Sequence, residues 1–138
     1  MYPEQLVSPM RAELTSVGFQ ELRSAEQVDN LLSSKEGTVL VVVNSVCGCA
    51  AGAARPGVKL AIEHAEHKPL TLATVFAGND AEATAKAREY FAPYPPSSPS
   101  MALFKDGKLV HFIERHHIEG RSPQMIADNL LMAFEQYC

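Results

Sequence analysis

Two cysteines one residue apart, Cys47 and Cys49, with Gly48 between them, are the residues of this chain best suited to chemistry. The thiolate is the form of cysteine that attacks disulfides and ligates soft metals. A disulfide across this pair closes a ring of about 11 atoms, against about 14 for a Cys-x-x-Cys bridge. Side chains two residues apart do not face each other on a helix. The bridge therefore asks for non-helical dihedrals at Gly48, which glycine can adopt. A disulfide held away from its preferred geometry is strained and easily reduced. The pair is thus expected to be a labile exchange site with a potential above roughly −300 mV. Cys47 is the expected nucleophile, and Cys49 the resolving thiol or a backup.

A metal carrier is the competing reading, because thiolates and imidazoles make zinc sites. The partners on offer are His64 and His67, spaced i, i+3, or the adjacent His116 and His117. His64 and His67 fall on the solvent face of the helix that the cysteines precede. Fifteen residues of helix rise span about 22 Å, too far to share one ion. Two buried, inert cysteines are the bland alternative, since free cysteine is often buried.

The elements around the pair place it at a strand-to-helix junction. Thr38 to Asn44 is apolar almost throughout, as in a central strand buried on both faces. The helix after the cysteines turns Ala54, Val58, Ala61, Ile62 and Ala65 inward. Pro56 should kink it by removing a hydrogen bond, and Arg55 reads as a solvated cation. Leu70 to Phe76 is a second strand, and Asp80 caps a helix running to about Phe91. Met101 to Lys105 and Lys108 to Ile113 are strands joined by Asp106-Gly107, a two-residue hairpin turn. Ser122 and Pro123 start a final helix with the stripe Ile126, Leu130, Ala133, Phe134 and Tyr137. Two helices come first: one capped by Ser8 with Pro9 in its first turn, and a short one capped by Ser24 and Gln27 and ended by Gly37.

The order helix, helix, β, α, β, α, β, β, α implies an α/β fold, with two parallel crossovers and then a hairpin. Its central mixed sheet is flanked by helices on both faces. In such sheets the site lies beyond the carboxyl ends of the strands. One domain spanning 1–138 is expected from the 138-residue length, with 46% hydrophobic residues to bury. A net charge of −4 lacks the basic excess that nucleic acid demands. No uninterrupted apolar run exceeds five residues, so no membrane association is expected. Met1-Tyr2-Pro3-Glu4-Gln5 shows no basic segment followed by an apolar one, so no secretory leader is expected, and the location read from this is cytoplasmic. Three cysteines in a reducing compartment are not a structural framework. Cys138 stays outside the site, as a frayed, exposed thiol.

Ser98-Pro99-Ser100-Met101-Ala102-Leu103-Phe104-Lys105-Asp106-Gly107, together with the cysteine position, resembles the thioredoxin fold. The segments Met10-Arg11-Ala12-Glu13-Leu14-Thr15 and Val42-Val43-Asn44-Ser45-Val46-Cys47-Gly48-Cys49-Ala50-Ala51-Gly52 carry the likeness further. With Ser97 to Leu103 and Val110-His111-Phe112-Ile113, nearly the whole chain resembles the bacilliredoxin family. The resemblance implies a thiol–disulfide oxidoreductase that removes bacillithiol from mixed disulfides on client proteins, or isomerises disulfides. Bacillithiol is then a co-substrate, and no bound cofactor or metal is implied. It also implies that Pro99 is cis and sets the backbone of Ser98 beside the dithiol, where an extended substrate could pair. Two departures from thioredoxins stand out. Val46 replaces the tryptophan before the first cysteine, and Val41 replaces the buried acid that moves protons there. Nothing at position 41 can deprotonate the resolving thiol, which favours exchange with a small-thiol adduct. Asn44 and Ser45 lie close enough to take part or to satisfy backbone groups.

Overall fold

The structure, a computed structural model, describes residues 1–33 and 36–138. In chain order its elements are α1 (Glu4–Thr15), β1 (Gln20–Glu21), α2 (Ala25–Leu32), β2 (Thr38–Asn44), α3 (Arg55–His64), β3 (Thr71–Phe76), α4 (Ala81–Tyr90), β4 (Ser100–Lys105), β5 (Lys108–Ile113) and α5 (Pro123–Tyr137). A π-helical turn, Ala50–Ala54, leads into α3, and a 3₁₀ turn, Arg115–His117, follows β5.

The five strands form one sheet in the order β1-β3-β2-β4-β5. β1 and β2 run parallel to β3, β4 antiparallel to β2, and β5 antiparallel to β4. β2 is central, and all of it is buried, as its apolar sequence requires. Side chains alternate along it. Val39, Val41 and Val43 meet Val28 and Leu32 of α2 and Ala83 and Ala87 of α4. Leu40 and Val42 meet Val58 and Ile62 of α3 and Ile126, Leu130 and Phe134 of α5. Helices therefore cover both faces. Among the described residues no helix is long and apolar enough to cross a membrane.

Several local expectations give way to tertiary forces. The second crossover after β2 is not parallel, because α4 delivers β4 antiparallel to β2. The second parallel unit is instead β1-α2-β2, in which β1 is too short to leave a periodic signal. The first helix starts at Glu4, with Pro9 inside it rather than in its first turn. Val7, Arg11 and Leu14 form a buried stripe at i, i+4, i+7, and that burial outweighs the hydrogen bond Pro9 removes. α2 ends at Leu32, before Gly37. Gly37 instead has φ +80 at the entry to β2, where its N–H donates to Asp106 Oδ1 at 2.9 Å. Leu70 stays exposed, and β3 begins at Thr71. Asp80 sits at the N-cap of α4 without capping it. Its carboxylate pairs with Arg11 at 2.7 Å and Arg23 at 3.3 Å. The Ser24 cap of α2, the Ser122 cap of α5 and the Asp106-Gly107 turn, both residues at positive φ, form as expected.

α3 and α5 pack closely because α3 carries a glycine at the contact. A Cβ at Gly57 would lie 2.6 Å from Ile126 Cβ and 3.0 Å from the Pro123 carbonyl.

Candidate active site

β2 delivers the chain to the site, and its last residue begins the loop. Asn44, 2% exposed, accepts from the Ser45 N–H at 2.9 Å and donates to the Met10 carbonyl of α1 at 3.1 Å. Ser45 Oγ accepts from the Cys47 N–H at 3.3 Å. Both residues thus satisfy backbone groups around the thiols. Arg55 ties the loop down from the other side. It is 2% exposed, contrary to the solvated side chain its type suggests. Its Nη1 donates to Asn44 Oδ1 at 2.9 Å and to the Ser45 carbonyl at 2.7 Å. Its Nε pairs with Glu13 of α1 at 3.0 Å. A buried guanidinium needs such partners at every donor it can reach. The inward spacing of Arg55 with Val58 and Ile62 was the signal for it.

The helix after the loop does not simply kink at Pro56. It opens into the π turn, whose wide bond runs from the Arg55 N–H to the Ala50 carbonyl. The return to α spacing then falls where Pro56 has no N–H to give.

Cys47 stands just before this helix, and its carbonyl accepts from the N–H groups of Ala50 and Ala51. Gly48 is the first helical residue, at ordinary negative φ, and a Cβ there would meet nothing within 4 Å. The reduced pair therefore needs no special dihedral at Gly48, in contrast to what spacing alone suggests. Because Cys47 lies ahead of the helix, the i, i+2 side chains still meet. The two free sulfurs are 2.8 Å apart, a hydrogen-bonded pair in which either could donate.

That contact divides the pair. The hydrogen bond from Cys49 is the main cause that lowers the Cys47 thiol below its ordinary value. Backbone N–H groups of Cys49 and Ala50 and the charge of Arg115 add to it, while burial opposes. Cys49 moves up, first through burial, then through the hydrogen bond and charge of Cys47. Proton and charge are thus shared between the two thiols as one system, with Cys47 lowered and Cys49 raised.

The segment ahead of β4 shares a cavity with one of the thiols, lined by both Cys47 and Ser98. The Ser98-Pro99 bond is cis, and so is Ala92-Pro93. Arg115 occupies the Ser98 carbonyl through Nη1 at 3.2 Å and pairs with Glu119. Arg115 and Arg88, which also lines the cavity, carry no local sequence signal. They converge only through the fold. The histidines lie elsewhere. His64 and His67 line a separate hollow against α5. Among the described residues, the group of three metal-ligand side chains that come together is Glu114, His116 and His117, with neither cysteine in it. The metal-carrier reading of the cysteine pair is therefore unsupported. Cys138 is exposed, near Thr38 and Lys105 at the opposite end of β2.

The fold superposes at a TM-score of 0.60 on a mutant thioredoxin from Halobacterium salinarum, 20% identical, over 88% of this chain and 91% of that one. Mitochondrial thioredoxin 3 of Saccharomyces cerevisiae matches equally, at 0.60 and 16% identity, over 90% and 98%. A family model described as disulphide isomerase matches residues 2–138. With the paired thiols, these findings define a thiol–disulfide oxidoreductase of thioredoxin fold. A bacilliredoxin of Cytophaga hutchinsonii is 61% identical over 136 residues, 99% of each chain. One of Geobacillus kaustophilus is 57% identical over 137 residues, 99% of this chain and 94% of its own. Within its class, the chain belongs to the bacilliredoxin family.

Proposed function

We propose that the protein removes bacillithiol from mixed disulfides on client proteins, with Cys47 as the nucleophile and Cys49 as the resolving thiol. The 2.8 Å contact that lowers one thiol and raises the other carries this reading. Cys47 thiolate attacks the bacillithiol sulfur in line. The new Cys47–bacillithiol disulfide forms as the old bond breaks, and the client leaves as a thiolate. A second bacillithiol then attacks the sulfur of the bound one, forming bacillithiol disulfide and releasing Cys47 as a thiolate; alternatively Cys49 attacks Cys47 Sγ and releases the first bacillithiol as a thiolate. If Cys49 does so, the resulting Cys47–Cys49 disulfide is reduced by two further thiols. Val41 is buried in the α2/α4 layer and offers no proton acceptor, which favours exchange with a small-thiol adduct over fast dithiol reduction of a client's own disulfide. Gly48 supplies the backbone freedom that the intramolecular bridge needs. Ser98 and Pro99 form the ledge for the client backbone, which displaces Arg115 from the Ser98 carbonyl. The same attack on a client's own disulfide is isomerisation. A reducing compartment such as the cytoplasm keeps both thiols ready.

Mass spectrometry on a bacillithiolated client tests the assignment. Cys47→Ala is expected to remove nothing, while Cys49→Ala, with no free bacillithiol present, accumulates an adduct on Cys47. Undiminished removal by Cys47→Ala sinks it.

A further inference from the structure

Beside Cys47 lies a cavity of about 460 Å³, large enough for a small molecule. Tyr2, Gly78, Arg88, Ser98 and Arg115 are among the residues that wall it with Cys47, and among the described residues no carboxylate lines it. Tyr2 is fixed as a wall. Its N–H donates to Asn79 Oδ1 at 2.9 Å, and its carbonyl accepts from Asn79 Nδ2 at 3.0 Å. Its ring lies so close to Gly78 that a Cβ there would sit 3.1 Å from it.

The two arginines differ in what they already hold. Arg115 is exposed, pairs with Glu119 and gives one donor to the Ser98 carbonyl. Arg88 is half-buried, its Nε is fully buried, and that atom has no hydrogen-bond partner among the described residues. Burial, with nothing to offset it, pulls the guanidinium below its ordinary value. A guanidinium with a buried unpaired donor, at the wall of a cavity with no acidic group among its described lining residues, can accept an anion there. The fork of an arginine fits a carboxylate.

We infer that the cavity receives the small-thiol half of the mixed disulfide and seats its carboxylate on Arg88, so that carboxylate-bearing thiols are preferred to neutral ones. This rests on Cys47 being the attacking thiol. The arrangement also decides which sulfur is attacked, because a disulfide has two. With the small half anchored beside Cys47, its sulfur is the one in reach, and the client sulfur becomes the leaving group. The small thiol ends up bonded to Cys47, and the client goes free.

The test uses one client peptide carrying either a mercaptosuccinate or a 2-mercaptoethanol adduct. Each rate is divided by the rate of the same adduct with free cysteine, which removes intrinsic reactivity. The wild-type protein is expected to favour the mercaptosuccinate adduct about tenfold at low ionic strength. Arg88→Gln is expected to bring that ratio near one, and Arg88→Lys to restore part of it. Succinate, at constant ionic strength, is expected to slow the wild type on the mercaptosuccinate adduct. A wild-type ratio near one overturns the subsite while leaving Cys47 as nucleophile. So does an Arg88→Gln protein that keeps the ratio, or a wild type indifferent to succinate, which needs no variant to fold. Removal of both adducts by Cys47→Ala overturns the exchange reading itself.

Discussion

At Cys47 the strongest influence on the thiol is its neighbour, so Cys49→Ala acts on the sulfur that remains. The lost hydrogen bond was stabilising the thiolate, and its removal raises the Cys47 pKa. The expected result is a pH profile of iodoacetamide alkylation whose midpoint moves up toward that of an ordinary thiol. Arg115→Gln moves it the same way by less, since that charge ranks below the hydrogen bonds. An unmoved midpoint in Cys49→Ala would show that the short sulfur contact does not govern the anion. The same shifts bear on stability with opposite signs. Cys47 is lowered, so its contribution is full above the unfolded pKa and is lost as pH falls through the folded one. Cys49 is raised, so its contribution is present below the unfolded pKa and is lost as pH rises through the folded one. The two offset each other in part, which makes reactivity the clearer measurement.

Two glycines near the start of the site helix play different parts. Gly48 has open space and helical φ in the reduced protein, so Gly48→Ala is expected to gain about 0.5–1 kcal/mol of helix stability. The same substitution resists the dihedrals of the bridged form. The Cys47–Cys49 disulfide should therefore form less readily in a dithiothreitol redox buffer, read by quenched alkylation. Unchanged bridging would mean that the ring closes within helical geometry. Gly57 is constrained by packing instead. An added Cβ runs into Ile126 Cβ and the Pro123 carbonyl, neither of which is the free end of a flexible chain. Gly57→Ala is expected to cost about 1–3 kcal/mol, seen as a lower urea midpoint at unchanged slope. A midpoint equal to wild type would show that α5 can step back from α3 at no cost.

Across the whole molecule, a buried charge network joins parts that are distant in sequence. Arg11 of α1 reaches Glu4, Glu21 of β1 and Asp80 at the head of α4, with Arg11 and Asp80 each 8% exposed. Asp80→Asn leaves a buried cation with weaker company and is expected to cost about 2 kcal/mol in urea unfolding. A loss below about half that would mean Glu4 and Glu21 suffice. This network also marks where reading along the chain fails. The borders of β2 and β5, the Asp106-Gly107 turn and the Ser122-Pro123 start of α5 obey local rules, and so were legible. The cysteine pair at a strand end was legible for the same reason. Ser8-Pro9 obeys a local rule too, yet burial of Val7 and Arg11 overrides it. β1 exists only because β3 pairs with it, and Arg88 and Arg115 meet only once the sheet is assembled. Cys138, at the far end of β2, has one last use. Exposed and remote from the pair, it remains titratable by a chromogenic disulfide reagent when Cys47 and Cys49 are bridged. The native protein then reports three reactive sulfhydryls when reduced and one when oxidised, so each sample carries its own internal calibration.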